Sequence, residues 1–138
     1  MYPLEIVNPM KRELTEAGFK ELLTPEQVDS SLKSEGTTLV VINSVCGCSA
    51  GTARPGVINA IKNTTKKPTQ IVTSFAGVDK DAVAQARTYF LPYPPSSPSI
   101  ALLKDGKLVH MIERHMIEGR SAEMIEENLK AAFDTYCE

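Results

Sequence analysis

The chain has little of what marks several common protein classes. No apolar run approaches the about 20 residues that span a bilayer, and the opening MYPLEIVNPMKREL lacks the basic-then-apolar plan of a secretory signal. A cytoplasmic protein with no membrane partner is the expectation. Basic excess is also missing. The 15 Lys and Arg against 17 Asp and Glu leave a net charge of -2, and the pairs Lys11-Arg12 and Lys66-Lys67 extend into no stripe. That argues against a nucleic-acid partner. Three cysteines are too few, and an odd number, for a disulfide framework. No repeat or linker breaks the 138 residues, and the one proline cluster, FLPYPPSSPS, is too short to part domains. A hydrophobic content of 42% over this length fits one domain spanning residues 1–138.

What is present reads as alternating helices and strands. A short helix is expected in PMKRELTEAGF and a second from TPEQ, where Thr24 suits the N-cap, Pro25 the first turn and Gln27 a capping box. TTLVVIN, with its unbroken apolar run Leu39 to Ile42, reads as a central strand covered on both faces. SAGTARPGVINAIKN comes next as a helix with Ala50, Val57, Ile58 and Ile61 on its inner side and a kink at Pro55. QIVTSFA is a strand, and DKDAVAQARTYF a helix with Asp79 as N-cap. SIALLKDGKLVHMI is a hairpin turning at Asp105-Gly106, and a last helix from about Ser121 buries Ile125, Leu129, Ala132, Phe133 and Tyr136. The fold class is α/β: a mixed central sheet flanked by helices, with extra helices at the N-terminus.

The chemistry concentrates in NSVCGCSAGTARPG. Cys46 falls at a strand-to-helix junction, where unpaired N–H groups and the helix dipole favour a thiolate. Its pKa is expected below the roughly 8.5 of free cysteine, with Cys48 further into the helix and less exposed. Two cysteines one residue apart can close a small, reducible disulfide, and Gly47 suits the backbone angles such a ring asks for. Alternatives stay open. The thiols pack as small hydrophobes, or they ligate zinc with His115, His110 or Cys137. No second close Cys/His pair of the zinc-finger kind supports the latter. Pro98, leading into an apolar strand, is a candidate to sit against the thiols.

The cysteine pair, the helix it opens, the proline before a hairpin and the closing helix together resemble the thioredoxin fold. VVINSVCGCSAGTARPG, FAGVDKDA, PPSSPSIALLKDGKLVH and ERHMIEG, in that order, resemble the bacilliredoxin family over nearly the whole chain. The resemblance implies a thiol–disulfide oxidoreductase that removes bacillithiol, a small thiol, from mixed disulfides on cytosolic proteins. Protein disulfide isomerase activity is the alternative within enzymology, and a thiolate metal-binding module the one outside it. The attacking thiol maps to Cys46, the second thiol to Cys48 and a cis-proline to Pro98. No metal or organic cofactor is implied; bacillithiol or a similar thiol is the co-substrate, and S-thiolated or disulfide-bonded proteins are the partners. The strand LVVIN holds no acid and Val45 stands where thioredoxins carry tryptophan, which separates the chain from ordinary thioredoxins. Arg54 is a candidate contact for an anionic thiol ligand, with an exposed helix arginine as the preferred alternative. His115, after the hairpin, is a candidate substrate contact or a hydrogen-bonded structural histidine. Cys137, next to the C-terminus, receives no catalytic role.

Overall fold

An apolar run such as residues 39–42 needs cover on both faces, and the computed structural model, which describes residues 2–138, provides it. The elements in chain order are α1 (Leu4–Thr15), β1 (Lys20–Glu21), α2 (Pro25–Leu32), β2 (Thr37–Asn43), α3 (Arg54–Asn63), β3 (Gln70–Phe75), α4 (Lys80–Thr88), β4 (Ser99–Lys104), β5 (Lys107–Ile112), α5 (Arg114–Ile117) and α6 (Ala122–Tyr136). The sheet order is β1-β3-β2-β4-β5. β1 and β2 run parallel to β3, while β4 is antiparallel to both β2 and β5. Every residue of β2 is buried. Leu39 and Val41 face a core shared with Val57 of α3 and Ile125, Leu129 and Phe133 of α6. Val40 and Ile42 face a second core with Val28 of α2 and Ala82, Val83 and Ala86 of α4.

This topology sets the site. The segments leaving β2, β3 and β5, and the one entering β4, all meet at one end of the sheet. The hairpin turn lies at the other end, with Asp105 at φ 51° and Gly106 at φ 80°, the paired positive angles of a tight two-residue turn. Asp105 Oδ1 accepts from the Gly36 N–H at 2.8 Å, which ties that turn to the start of β2. Among the described residues no helix is long and apolar enough to cross a membrane.

Several expectations need correction. The first helix begins at Leu4 and runs through Pro9 to Thr15, five residues earlier than the expected start at Pro9. β1 and α5 carry no periodic signal because they are two and four residues long. Thr24 caps α2 by accepting from Gln27 N–H, but Gln27 reaches back to the N–H of Leu23 rather than of Thr24. Asp79 occupies the N-cap of α4 without capping it, because its carboxylate accepts from the Phe75 N–H and from Lys11 Nζ. Pro55 lies inside the helical stretch that runs from Gly47 to Asn63, in the first turn of α3 and just past a π-helical turn at Ser49–Ala53 in which Arg54 N–H bonds Ser49 O. A proline there has no N–H for the carbonyl four residues back and its ring crowds it, so the chain widens ahead of it. The widening turns Ala50 outward to an exposed position.

Candidate active site

β2 ends on a polar residue that organises everything after it. Asn43 Oδ1 accepts from the Ser44 N–H at 2.9 Å, from Ser49 Oγ at 3.0 Å and from Arg54 Nη1 at 2.9 Å. Arg54 Nη1 also donates to Ser44 O at 2.9 Å and contacts Ser49 Oγ at 3.1 Å. Ser44 Oγ in turn accepts from the Cys46 N–H at 3.2 Å. The turn bearing the thiols is therefore held from below by one guanidinium. Arg54 is only 1% exposed, which corrects both readings of it: it lies neither on the surface nor within reach of a ligand. Position 54 continues the stripe of Val57, Ile58 and Ile61 at spacings of three, four and seven, so it points inward with them. Its Nε lies 3.2 Å from Glu13 Oε1, an ion pair whose geometry leaves that N–H without a hydrogen bond.

Helical backbone begins at Gly47, immediately after Cys46. Gly47 needs no special backbone: its φ is not positive, and a Cβ there would meet nothing within 4 Å. Cys46 and Cys48 are free thiols with their Sγ atoms 2.8 Å apart. The Cys46 thiol is held below the ordinary cysteine range, chiefly by the hydrogen bond from Cys48. Burial opposes this, and the backbone N–H groups of Cys48 and Ser49 and the charge of Arg114 assist it. The Cys48 thiol is pushed up to about 11, first by burial, then by the hydrogen bond and charge shared with Cys46. The opposed shifts favour ionisation at Cys46 over Cys48.

Arg114 carries no distinguishing mark in the sequence, although it stands in ERHMIEG beside His115. Its Nη2 donates to Cys46 Sγ at 3.2 Å and its Nη1 to Ser97 O at 3.1 Å, while Nε pairs with Glu118. The Ser97–Pro98 bond is cis, and Pro98 is buried directly behind the carbonyl that Arg114 grips. His115 is open to solvent: its side chain is 74% exposed, with Nε2 at 3.9 Å from Glu113 Oε2. The zinc partners do not assemble. His110 bonds Asn128, Cys137 lies beside Thr37 at the opposite end of β2, and no three His, Cys, Asp or Glu side chains converge among the described residues. An open groove of about 520 Å³ runs past Cys46, walled by Ala76, Gly77, Arg87, Ser97 and Arg114.

The Arg114 contact has a measurable consequence. The cation favours the thiolate, so Arg114→Gln moves the midpoint of Cys46 alkylation to higher pH and slows alkylation at neutral pH. The shift is upward because losing a nearby positive charge disfavours the anion. It is smaller than that of Cys48→Ala, which removes the larger cause. Iodoacetamide rates across pH, read by peptide mapping at Cys46, measure both; an unmoved midpoint in Arg114→Gln would show that the guanidinium leaves the thiol unperturbed.

Comparison with known proteins agrees with this geometry. The family model described as disulphide isomerase matches residues 2–137. A bacilliredoxin of Cytophaga hutchinsonii is 60% identical over 134 residues, covering 97% of this chain and 98% of that protein. A bacilliredoxin of Geobacillus kaustophilus is 55% identical over 99% of this chain and 95% of its own. Among solved structures, a thioredoxin from Halobacterium salinarum superposes with a TM-score of 0.61 at 17% identity, over 88% of this chain and 93% of that one. Mitochondrial thioredoxin 3 of Saccharomyces cerevisiae gives 0.60 at 14% identity, over 89% and 98%. The structural likeness establishes the thioredoxin fold, and the sequence likeness the family: the chain belongs to the bacilliredoxins, and it is a thiol–disulfide oxidoreductase.

Proposed function

We propose that this oxidoreductase removes bacillithiol from mixed disulfides on cytosolic proteins, with Cys46 as nucleophile. The observation that carries the reading is the pair of sulfurs 2.8 Å apart with opposed pKa shifts. In the first step the Cys46 thiolate attacks the bacillithiol sulfur. The S–S bond of the substrate breaks, the protein leaves as a thiolate that takes up a proton, and a Cys46–bacillithiol disulfide forms. That step extinguishes the charge on Cys46, and with it two of the influences that hold the Cys48 proton. Burial and the charge of Glu118 are left to oppose ionisation, so Cys48 becomes easier to deprotonate when its thiolate is needed. It then attacks Cys46 Sγ, releases bacillithiol and closes the Cys46–Cys48 disulfide; the sulfurs need to approach from 2.8 Å to a bond of about 2.05 Å. A second bacillithiol can instead clear Cys46, leaving as the bacillithiol disulfide. No resident cofactor enters either route.

The test is a protein carrying bacillithiol on one cysteine, incubated with the reduced chain and monitored by intact mass. The expected result is loss of the adduct from the substrate and its appearance on Cys46, or oxidation of the Cys46–Cys48 pair. The description of the matching family favours a second reading, reshuffling of protein disulfides. A chain that leaves the adduct in place yet restores a scrambled disulfide protein would favour isomerisation. Stoichiometric zinc or copper that blocks both thiols would favour the metal-binding alternative.

A further inference from the structure

We propose that the groove beside Cys46 contains an anion subsite, built by Arg87 with Arg114, that receives a carboxylate of the small thiol. The inference rests on the de-thiolation reading and names the chemical class of its co-substrate. Two arginines and no aspartate or glutamate line the groove. Arg87, from α4, is under-used by the protein: its Nη2 donates to Ser96 O at 3.3 Å, its buried Nε has no partner, and no carboxylate lies within ion-pair distance among the described residues. Arg54 Nε is likewise without a hydrogen bond, but the fold gives that arginine three acceptors at Nη1 and a carboxylate 3.2 Å from Nε, which Arg87 lacks. A cation partly desolvated without a counter-charge is unfavourable unless a ligand supplies one.

The timing of charge strengthens the argument. In the resting site Arg114 pairs with Glu118 and donates to Cys46 Sγ. Once Cys46 is in a mixed disulfide, its sulfur can carry no negative charge for Arg114 to face, while both arginines remain. A carboxylate on the attached thiol then meets a groove with two cations, one of them without an acidic partner. The groove volume of about 520 Å³ suits a small molecule rather than a folded surface. Planar, bidentate carboxylate recognition is what a guanidinium does better than an ammonium.

Three symmetrical disulfides of similar size test this: dithiodiglycolate (anionic), bis(2-hydroxyethyl) disulfide (neutral) and cystamine (cationic). Each is reacted with the Cys48→Ser chain, and mixed-disulfide formation on Cys46 is timed by mass spectrometry at low salt. Rates are divided by those of N-acetylcysteinamide to remove intrinsic reactivity. The anionic-to-neutral ratio is expected to be about tenfold, equivalent to about 1.4 kcal/mol, with cystamine the slowest. Arg87→Gln should bring the ratio close to one, and Arg87→Lys should recover part of it. A ratio near one in the chain with Arg87 intact, or one unchanged by Arg87→Gln, overturns the subsite. If Cys46 reacts with none of the three, the de-thiolation reading fails, and succinate titration read by backbone amide NMR decides the subsite separately. Shifts at Ala76, Gly77 and Ser97 that vanish in Arg87→Gln support it; no shifts at those amides overturn it.

Discussion

Replacing Cys46 by serine is expected to abolish the proposed transfer of bacillithiol from a thiolated protein, whereas replacing Cys48 by serine is expected to preserve the first transfer and trap its product. The asymmetry arises from the two thiols' different environments. Cys46 opens a helical turn, accepts from Cys48 and contacts Arg114, so it is the sulfur poised as an anion. Cys48, pushed up to about 11, is the proton donor at the same moment. Serine at position 46 leaves no competent nucleophile in the groove: Cys48, pushed up to about 11, does not line it, and Cys137 is buried at the far end of the sheet. Serine at position 48 keeps an O–H that donates to the Cys46 thiolate, so the nucleophile stays activated while the resolving sulfur is lost. The Cys48→Ser chain should therefore gain one bacillithiol on Cys46 and hold it until free thiol is added. Cys48→Ala removes the donor as well, and its first transfer at neutral pH is slower than that of Cys48→Ser. Intact-mass kinetics on both reactants read all three variants. Retained transfer in Cys46→Ser with loss in Cys48→Ser would exchange the roles, and full turnover in both would remove the Cys-Gly-Cys motif from the chemistry.

The sequence exposes these thiols because their position is encoded locally. An apolar run with no polar alternation marks β2 as central, and residues just past the C-terminal end of a central strand lie at the open end of the sheet. Asp105-Gly106 marks the hairpin for an equally local reason, the demand of a tight turn for positive φ at both residues. The partners of the thiols are another matter. Arg114 reaches Cys46 across 68 positions from a four-residue helix, too short to leave a period in the sequence. Arg87 reads as a basic residue suited to the last turn of α4, and only the tertiary fold shows that it faces the thiol groove. Arg54 is legible in part. It lies on the inner stripe of its helix, but charge argues for solvent, and the acceptors that outweigh the charge come from Asn43 and Ser44 in the preceding strand and turn. Helical phase is the better guide there than residue type.

The burial of Arg54 sets the largest expected loss of stability outside the thiols. Its Nη1 serves Asn43 Oδ1, Ser44 O and Ser49 Oγ, all within 3.1 Å and all on buried residues. Arg54→Met fills a similar length of space with an apolar chain but leaves the Ser44 carbonyl short of this donor and Asn43 Oδ1 short of its charged one. Hydrogen bonds to charged groups and broken buried networks put the cost at roughly 3 kcal/mol. Glu13 contributes little of this, because its side chain is 45% exposed and the pair is open to solvent screening. Glu13→Gln should therefore cost less than about 1 kcal/mol, and the difference between the two variants isolates the buried side of the network. Arg54→Lys keeps the charge without the planar fork and should fall between them. Urea denaturation of the reduced proteins at fixed pH measures all three. A second readout separates positioning from bulk stability: if Arg54 fixes the turn through Ser44, alkylation of Cys46 in folded Arg54→Met, well below the urea midpoint, loses its advantage over free cysteine. An Arg54→Met chain that unfolds within about 1 kcal/mol of the parent and alkylates at the parent rate would mean that Asn43 and Ser49 hold the turn unaided.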